Sequence, residues 1–203
     1  MPRTTVEAQM KHSFSGPKML LVLAGFLCLT DHVKAESPRP ASTGSTVTIG
    51  FDKVVAGAFT VARNSGFEVS AKQAWGWVGE PSFGDPAGSI EFSTPANVKT
   101  TKSVIVTHDG KPFTFQSVAI YSSTTQIPYR FRGSLNGLTK YNTIGTVPNT
   151  FGAFATTTNS NASIPIDRLV ISITNPSVPV SNPEGLDNIV VQPAVTADIK
   201  SAK

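Results

Sequence analysis

Apolar residues recur at a period of two, in short runs, along most of this chain. The strictest run is Ile127-Pro-Tyr-Arg-Phe-Arg132. There Ile127, Tyr129 and Phe131 fall on one side, and Pro128, Arg130 and Arg132 on the other. Such alternation marks a strand with one buried face. The arm before it, 113–121, is apolar at Phe113 and Phe115 and again at Val118 and Ile120. The slip at Gln116-Ser117 predicts a β-bulge. Residues 122–126 between the arms are polar and predict a hairpin or a turn that crosses between sheets. The same alternation predicts strands over 46–52 (Val47, Ile49, Phe51), 67–71, 89–92, 102–107, 139–144, 167–174 (Leu169, Ile171, Ile173) and 186–191. A further strand pattern covers 74–79. Asp109-Gly110 predicts a tight turn, and Pro- and Gly-bearing loops are expected over 80–88 and 175–185. Residues 54–61 fit no single pattern. In 145–155 the pattern is mixed, and Phe151 and Phe154 are expected in the core.

Short strands separated by turn signals, with no helical period after residue 35, predict a single all-β domain over 46–191. The expected architecture is an antiparallel β-sandwich of jelly-roll type, with a closed barrel as the alternative.

The start of the chain changes the picture of where this domain works. Residues 19–30 form a short apolar run, preceded by Lys11 and Lys18 and followed by Val33-Lys34-Ala35. That is the pattern of a cleaved export signal over 1–35, and the run is too short to span a bilayer comfortably. A secreted or periplasmic protein is expected, with a disordered lead-in over 36–45, a polar tail over 192–203 and no transmembrane segment in the mature chain. The full chain has 17 basic and 13 acidic residues. Removing Arg3, Lys11, Lys18 and Lys34, and Glu7 and Asp31, leaves 17−4=13 basic and 13−2=11 acidic, a net of +2. That is too weak a field for a nucleic-acid partner. The one cysteine, Cys28, leaves with the signal, so no disulfide is available.

Candidate chemistry is sparse. Trp75 and Trp77 are two apart and share one face of a strand; they could stack on sugar rings, with Gln73 and Glu80 fixing hydroxyls. Arg130 and Arg132, on the outward side of their strand, could meet an anion or a sugar acid. Asp187, beside apolar Leu186 and Ile189, must be hydrogen-bonded or paired if buried. It could accept backbone N–H groups, or share a hard cation with Asp52 if the first and last strands pair. No Gly-x-Ser-x-Gly, His-Glu-x-x-His, P-loop or Gly-x-Gly-x-x-Gly is present. His108 is the only imidazole of the mature chain, and spacing alone pairs none of Glu68, Glu80, Glu91 and Asp85. No enzyme is expected.

The succession Ile49-Gly-Phe-Asp52, Gly66-Phe67, Ser89-Ile-Glu-Phe92, Phe113-Thr-Phe-Gln-Ser-Val-Ala-Ile-Tyr121, Tyr129-Arg-Phe-Arg-Gly133, Ile166-Asp-Arg-Leu-Val-Ile171 and Gly185-Leu-Asp-Asn-Ile-Val190 resembles one kind of domain. It is similar to secreted bacterial jelly-roll domains of the galactose-binding-like, carbohydrate-binding-module-like kind. The resemblance covers about residues 46–191. Such domains often accompany exported proteins that bear a carboxy-terminal sorting anchor; no apolar segment follows Val191 here, so a free secreted protein, or one held by its partner, is expected. The resemblance implies a non-catalytic module binding extracellular or cell-surface carbohydrate. It requires no cofactor, although related domains hold a structural calcium ion. A structural or adhesive envelope or matrix protein that binds other extracellular proteins is the alternative, and a weak glycan hydrolase the third.

Overall fold

Strand β3 (Phe67–Trp77) organises the molecule, because its two halves have different neighbours. Glu68, Val69, Ser70 and Ala71 pair with β5 (Thr100–Thr107), and Ala74, Trp75, Gly76 and Trp77 pair with β4 (Ser89–Phe92). Between the halves Gln73 takes a left-handed backbone, φ 56°, which bends the strand. This is a computed structural model, and it describes residues 44–78 and 84–194.

The remaining strands are β1 (Val47–Ile49), β2 (Gly57–Asn64), β6 (Phe113–Ser122), β7 (Ile127–Leu135), β8 (Leu138–Val147), β9 (Ala155–Thr158), β10 (Arg168–Asn175) and β11 (Glu184–Pro193). They form one antiparallel sheet in the order β8-β7-β10-β5-β3-β4-β11-β6-β9, with β1 added to β11 and β2 to β3. Bent over at β3, this sheet becomes two layers, the curved and nearly closed sandwich that the strand pattern implies. One layer sends Phe131, Leu169, Ile171, Ile173, Val104 and Val106 inward; the other sends Ile90, Phe92, Phe115, Ile120, Leu186 and Ile189. The rings of Phe115 and Phe131 meet edge to face at 5.0 Å. Burying each large side chain contributes roughly 1.5–3 kcal/mol, which is how a domain without disulfides holds together.

Several local expectations change. β6 pairs with β11 and β9, and β7 with β10 and β8, so the segment between β6 and β7 crosses between layers and makes no hairpin. The bulge falls where the phase slip put it: Val190 and Val191 face Ser117 and Phe115, skipping Gln116. The stretch 54–61, which fits no single pattern, runs into the edge strand β2 over 57–64. The two segments 67–71 and 74–79 are one strand, bent rather than broken. β7 runs through Gly133, which sits under Tyr141 and Ile166, and the turn into β8 is Asn136-Gly137, both at positive φ. Phe151 is 61% exposed and not part of the core. β11 extends to Pro193, whose carbonyl accepts from the Gly44 N–H at 2.8 Å, so ordered structure reaches past 191. The leader over 1–35 and the tail beyond 194 lie outside the described residues, as does most of 36–45. Among the described residues no helix is long and apolar enough to cross a membrane.

Candidate functional site

Core packing decides which side of the β3-β4-β11-β6 layer faces out. Ala74, Ile90, Leu186 and Ile120 are buried inward, so the alternate residues point the other way. The register lines up Trp75, Glu91, Gly185 and Tyr121 in one row across the four strands, with Trp77 and Ser89 in the next row.

This row runs from water into a walled end. Trp75 is 54% exposed, whereas Tyr121 is fully buried. The Phe154 ring lies edge-on to Tyr121 at 5.8 Å. Above it the stretches around Gly84 and Gly152 meet, the Gly152 N–H donating to the Gly84 carbonyl at 3.1 Å. Glu91 lies between these extremes and is buried. Its Oε1 accepts from the Ser89 hydroxyl at 2.7 Å, and its Oε2 has no partner among the described residues. Gly185 makes this possible, since a Cβ there would collide with the Glu91 carboxyl. Burial pushes the Glu91 carboxyl up to about 8; the Ser89 hydroxyl opposes the rise and the nearby Asp85 charge adds to it. Burial also raises Asp85 and Tyr121.

Among the described residues Trp77 Nε1 and Glu91 Oε2 are buried without a hydrogen-bond partner, and Asp85 Oδ1 and the Tyr121 hydroxyl form no well-directed bond although the two side chains interact with each other. Polar atoms so placed around one face are unusual, because each costs about 1–3 kcal/mol when nothing meets it. Donors (Trp77 Nε1), acceptors and groups that can do either (Tyr121, protonated Glu91) are all represented.

The inner side of the same layer holds a second buried acid. Glu184 Oε1 accepts from Asn182 Nδ2 at 3.3 Å, and its Oε2 has no partner among the described residues. Burial pushes Glu184 up to about 8, opposed by Asn182, helped by the Glu91 charge and opposed by Lys102. Asn182 also accepts from the Thr124 N–H at 2.7 Å and donates to Ser122 and Asn175, tying the layer-crossing turn to the end of β10.

Of the residues singled out in sequence, Trp75 and Trp77 do share a face. Gln73 does not join them: the bend re-aims it, and its Oε1 accepts from Lys102 Nζ at 2.6 Å. Glu80 lies outside the described residues. Arg130 and Arg132 project from the outer face of the other layer, where Arg132 donates to the Thr139 hydroxyl at 2.9 and 3.2 Å. Asp52 and Asp187 do approach each other, because β1 pairs with β11. Asp187 accepts from the Phe51 N–H at 3.1 Å and from Asn188 Nδ2 at 2.8 Å. Oxygens of Asp52, Asn188 and Asp187 lie 3.4, 3.5 and 3.8 Å from where a side chain on Gly50 would begin. Burial raises Asp187, the backbone N–H groups of Asn188 and Phe51 oppose, and the Asp52 charge adds to the rise. His108 is buried, its ring stacked on Phe67 at 4.1 Å, which is a packing role. Among the described residues no three His, Cys, Asp or Glu side chains converge.

Sequence reasoning missed Glu91, Gly185, Tyr121 and Glu184 as a group. Each sits in its own strand as one member of an ordinary alternation, and only the register brings them together.

No protein-family model matches the sequence, and no curated protein matches it. Solved structures resemble it in fold. A family 29 carbohydrate-binding module, CBM29_1 from Piromyces equi, is 12% identical, with a TM-score of 0.42, over 76% of this chain and 93% of that one. TmCBM61, solved in complex with β-1,4-galactotriose, is 11% identical, with a TM-score of 0.42, over 63% of this chain and 88% of that one. The family 11 module of the cellulosomal cellulase Lic26A-Cel5E of Clostridium thermocellum is 14% identical, with a TM-score of 0.40, over 77% of this chain and 99% of that one.

Proposed function

We propose that this protein is a non-catalytic carbohydrate-binding module whose site is the outer face bearing Trp75, Trp77 and Glu91. The observation that carries the reading is the row itself: an exposed indole beside buried polar atoms, of which Trp77 Nε1 and Glu91 Oε2 have no partner among the described residues. A pyranose ring offers an apolar face to Trp75 and hydroxyls at its rim. Glu91, held neutral at pH 7, can both donate to and accept from those hydroxyls, and Trp77 Nε1 can donate. The wall above Tyr121 stops the sugar chain at one end.

Hydrolysis is not part of this reading. A glycosidase sets an acid against an ionised carboxylate across the scissile bond. Here Glu91 and its neighbour Asp85 are both pushed toward the neutral form.

The test is a glycan array with the full chain and with Trp75→Ala and Trp77→Ala. Binding that falls by about tenfold or more in Trp75→Ala supports the site; binding unchanged in both variants overturns it. A blank array together with a protein partner recovered from matrix extracts would favour the adhesive alternative. Reducing ends released from polysaccharides would favour a hydrolase.

Two further parts of the reading go with it. A calcium ion would be held between the first and last strands by Asp52, Asp187 and the Asn188 amide oxygen, with carbonyls and water completing its shell. The cation would relieve the repulsion between the two carboxylates. Millimolar calcium should then raise the melting temperature, and Asp187→Asn should abolish the rise; identical melting with calcium and with chelator rejects the ion. Export would leave a chain beginning near Glu36, which N-terminal sequencing of the secreted protein checks.

A further inference from the structure

The layer opposite the tryptophans presents a face of different chemistry. Phe131, Leu169, Ile171 and Ile173 point inward, so Arg130 and Arg132 on β7 and Arg168 on β10 point out, and all three are exposed. The register fixes their arrangement. Arg130 is opposite Ser172 and Ile144, Arg132 is opposite Val170 and Asn142, and Arg168 is opposite Ser134 and Thr107. The three arginines therefore step down successive rows. Successive same-face positions on a strand are about 7 Å apart, and neighbouring strands about 4.8 Å.

Hydroxyls surround this ladder. Ser103 and Ser172 share a hydrogen bond at 2.8 Å, and Thr101 and Thr174 another at 2.9 Å. A groove of about 440 Å³ runs beside Arg130, its lining including Thr101, Tyr129, Ile144, Thr146, Ser172 and Thr174. Carboxylates are scarce here. The ion pair found among the described residues is Arg63 with Glu68, at the β2 edge. Asp167, beside Arg168 at the lower end, accepts from the Asn136 N–H at 2.7 Å.

We propose that this face is a second binding surface, for an acidic polysaccharide whose repeated carboxylates meet Arg130, Arg132 and Arg168. Guanidinium forks pair with carboxylates in two-pronged geometry, and the intervening Ser and Thr hydroxyls suit the sugar hydroxyls between one acid and the next. A nucleic acid fits less well. It calls for a run of aromatic plates to stack successive bases or a denser basic field; of the two aromatics of β7, Phe131 is buried and Tyr129, half-buried, packs against it at 4.6 Å, leaving one ring edge at the groove. The proposal is independent of the sugar reading for the Trp75 face.

The experiment compares binding of the full chain to polygalacturonate, to its methyl ester and to a single-stranded oligonucleotide. Polygalacturonate should bind and the uncharged ester should not. The combined change of Arg130, Arg132 and Arg168 to Gln should cut affinity about ten- to a hundredfold, as three exposed charge pairs imply. The corresponding Lys variant should keep part of that affinity, and Trp75→Ala all of it. Log affinity should fall with log salt at a slope of about −2 for three contacts on a single chain. If the triple Gln variant melts low, single Arg130→Gln and Arg168→Gln changes carry the comparison. Affinity unchanged in folded Gln variants, equal binding of the ester, oligonucleotide binding as tight as polygalacturonate, or loss of binding in Trp75→Ala would each overturn the proposal.

Discussion

Raising the pH just above neutrality should weaken this fold, the reverse of what ion-paired carboxylates do. Glu91 and Glu184 are each pushed by burial to about 8, while in the unfolded chain they ionise near 4.3. Between these values the unfolded state has released protons that the folded state still holds, so stability falls as pH rises. It is fully present below the unfolded value and lost through the folded one. His108 acts the other way: burial lowers it, so its effect rises with pH and is nearly spent by about 7, where most of the unfolded imidazole is neutral. From about pH 6.5 to 7.5 the two acids dominate. Each contributes about 1.4 kcal/mol per pH unit, so the pair should cost about 2–3 kcal/mol. At about 2–4 °C per kcal/mol for a domain of this size, the melting temperature should drop by about 5–10 °C. Thermal melts followed by far-UV circular dichroism in matched-salt buffers measure this. Glu184→Gln keeps the shape without the ionisation, and should halve the slope and stabilise the protein at pH 7.5. A melting temperature that is flat or rising across the window, or a Glu184→Gln variant with the parental slope, would refute the assignment of buried, protonated acids.

Other consequences are more local. Gly185→Ala sets a methyl against the Glu91 carboxyl and should cost about 1–3 kcal/mol in urea unfolding; because it displaces Glu91, sugar binding should weaken with it. Asn182→Ala strips partners from Thr124, Ser122 and Asn175 at once. Loss of a buried network of that kind should cost about 2–4 kcal/mol, measured in the same way. Binding at the Trp75 face should decline above about pH 8 as Glu91 ionises, losing its donor role; calorimetric titrations at pH 6.5 and 8.5 read this directly.

Where one face of a strand is buried and the other wet, the sequence showed the strand. β7 and β10 alternate cleanly because Phe131, Leu169, Ile171 and Ile173 fill the core. The bulge in β6 was legible for the same reason, since a phase slip is how an extra residue appears in an alternation. β2 was not legible: it is an edge strand with only Phe59 fully engaged in the core, so little pattern was imposed on it. β3 was misread as two segments because Lys72-Gln73 interrupts its apolar positions. The interruption is a bend at a left-handed Gln73, and that side chain took its hydrogen bond on the far side of the bend. The Trp75–Trp77 pair survived because two residues on one strand share a face whatever the tertiary structure. Glu91, Gly185 and Tyr121 come from three strands about thirty to ninety residues apart, and their meeting depends on register, which local periodicity does not encode.

The bend at β3 also bears on how the two outward faces can act. A sandwich seals its inner surfaces against each other, so the outer surfaces are free to diverge in chemistry without disturbing the core. Here one bears indoles beside the buried Glu91 carboxyl and the other guanidinium groups among hydroxyls. With the packed core between them, substitutions on the two faces share no partner, and sites so separated combine additively to within about 0.3–0.5 kcal/mol. Trp75→Ala joined to the three arginine changes should therefore lose each ligand by the amount its own face accounts for. A shortfall or excess beyond that margin would mean that one ligand wraps the edge and touches both faces.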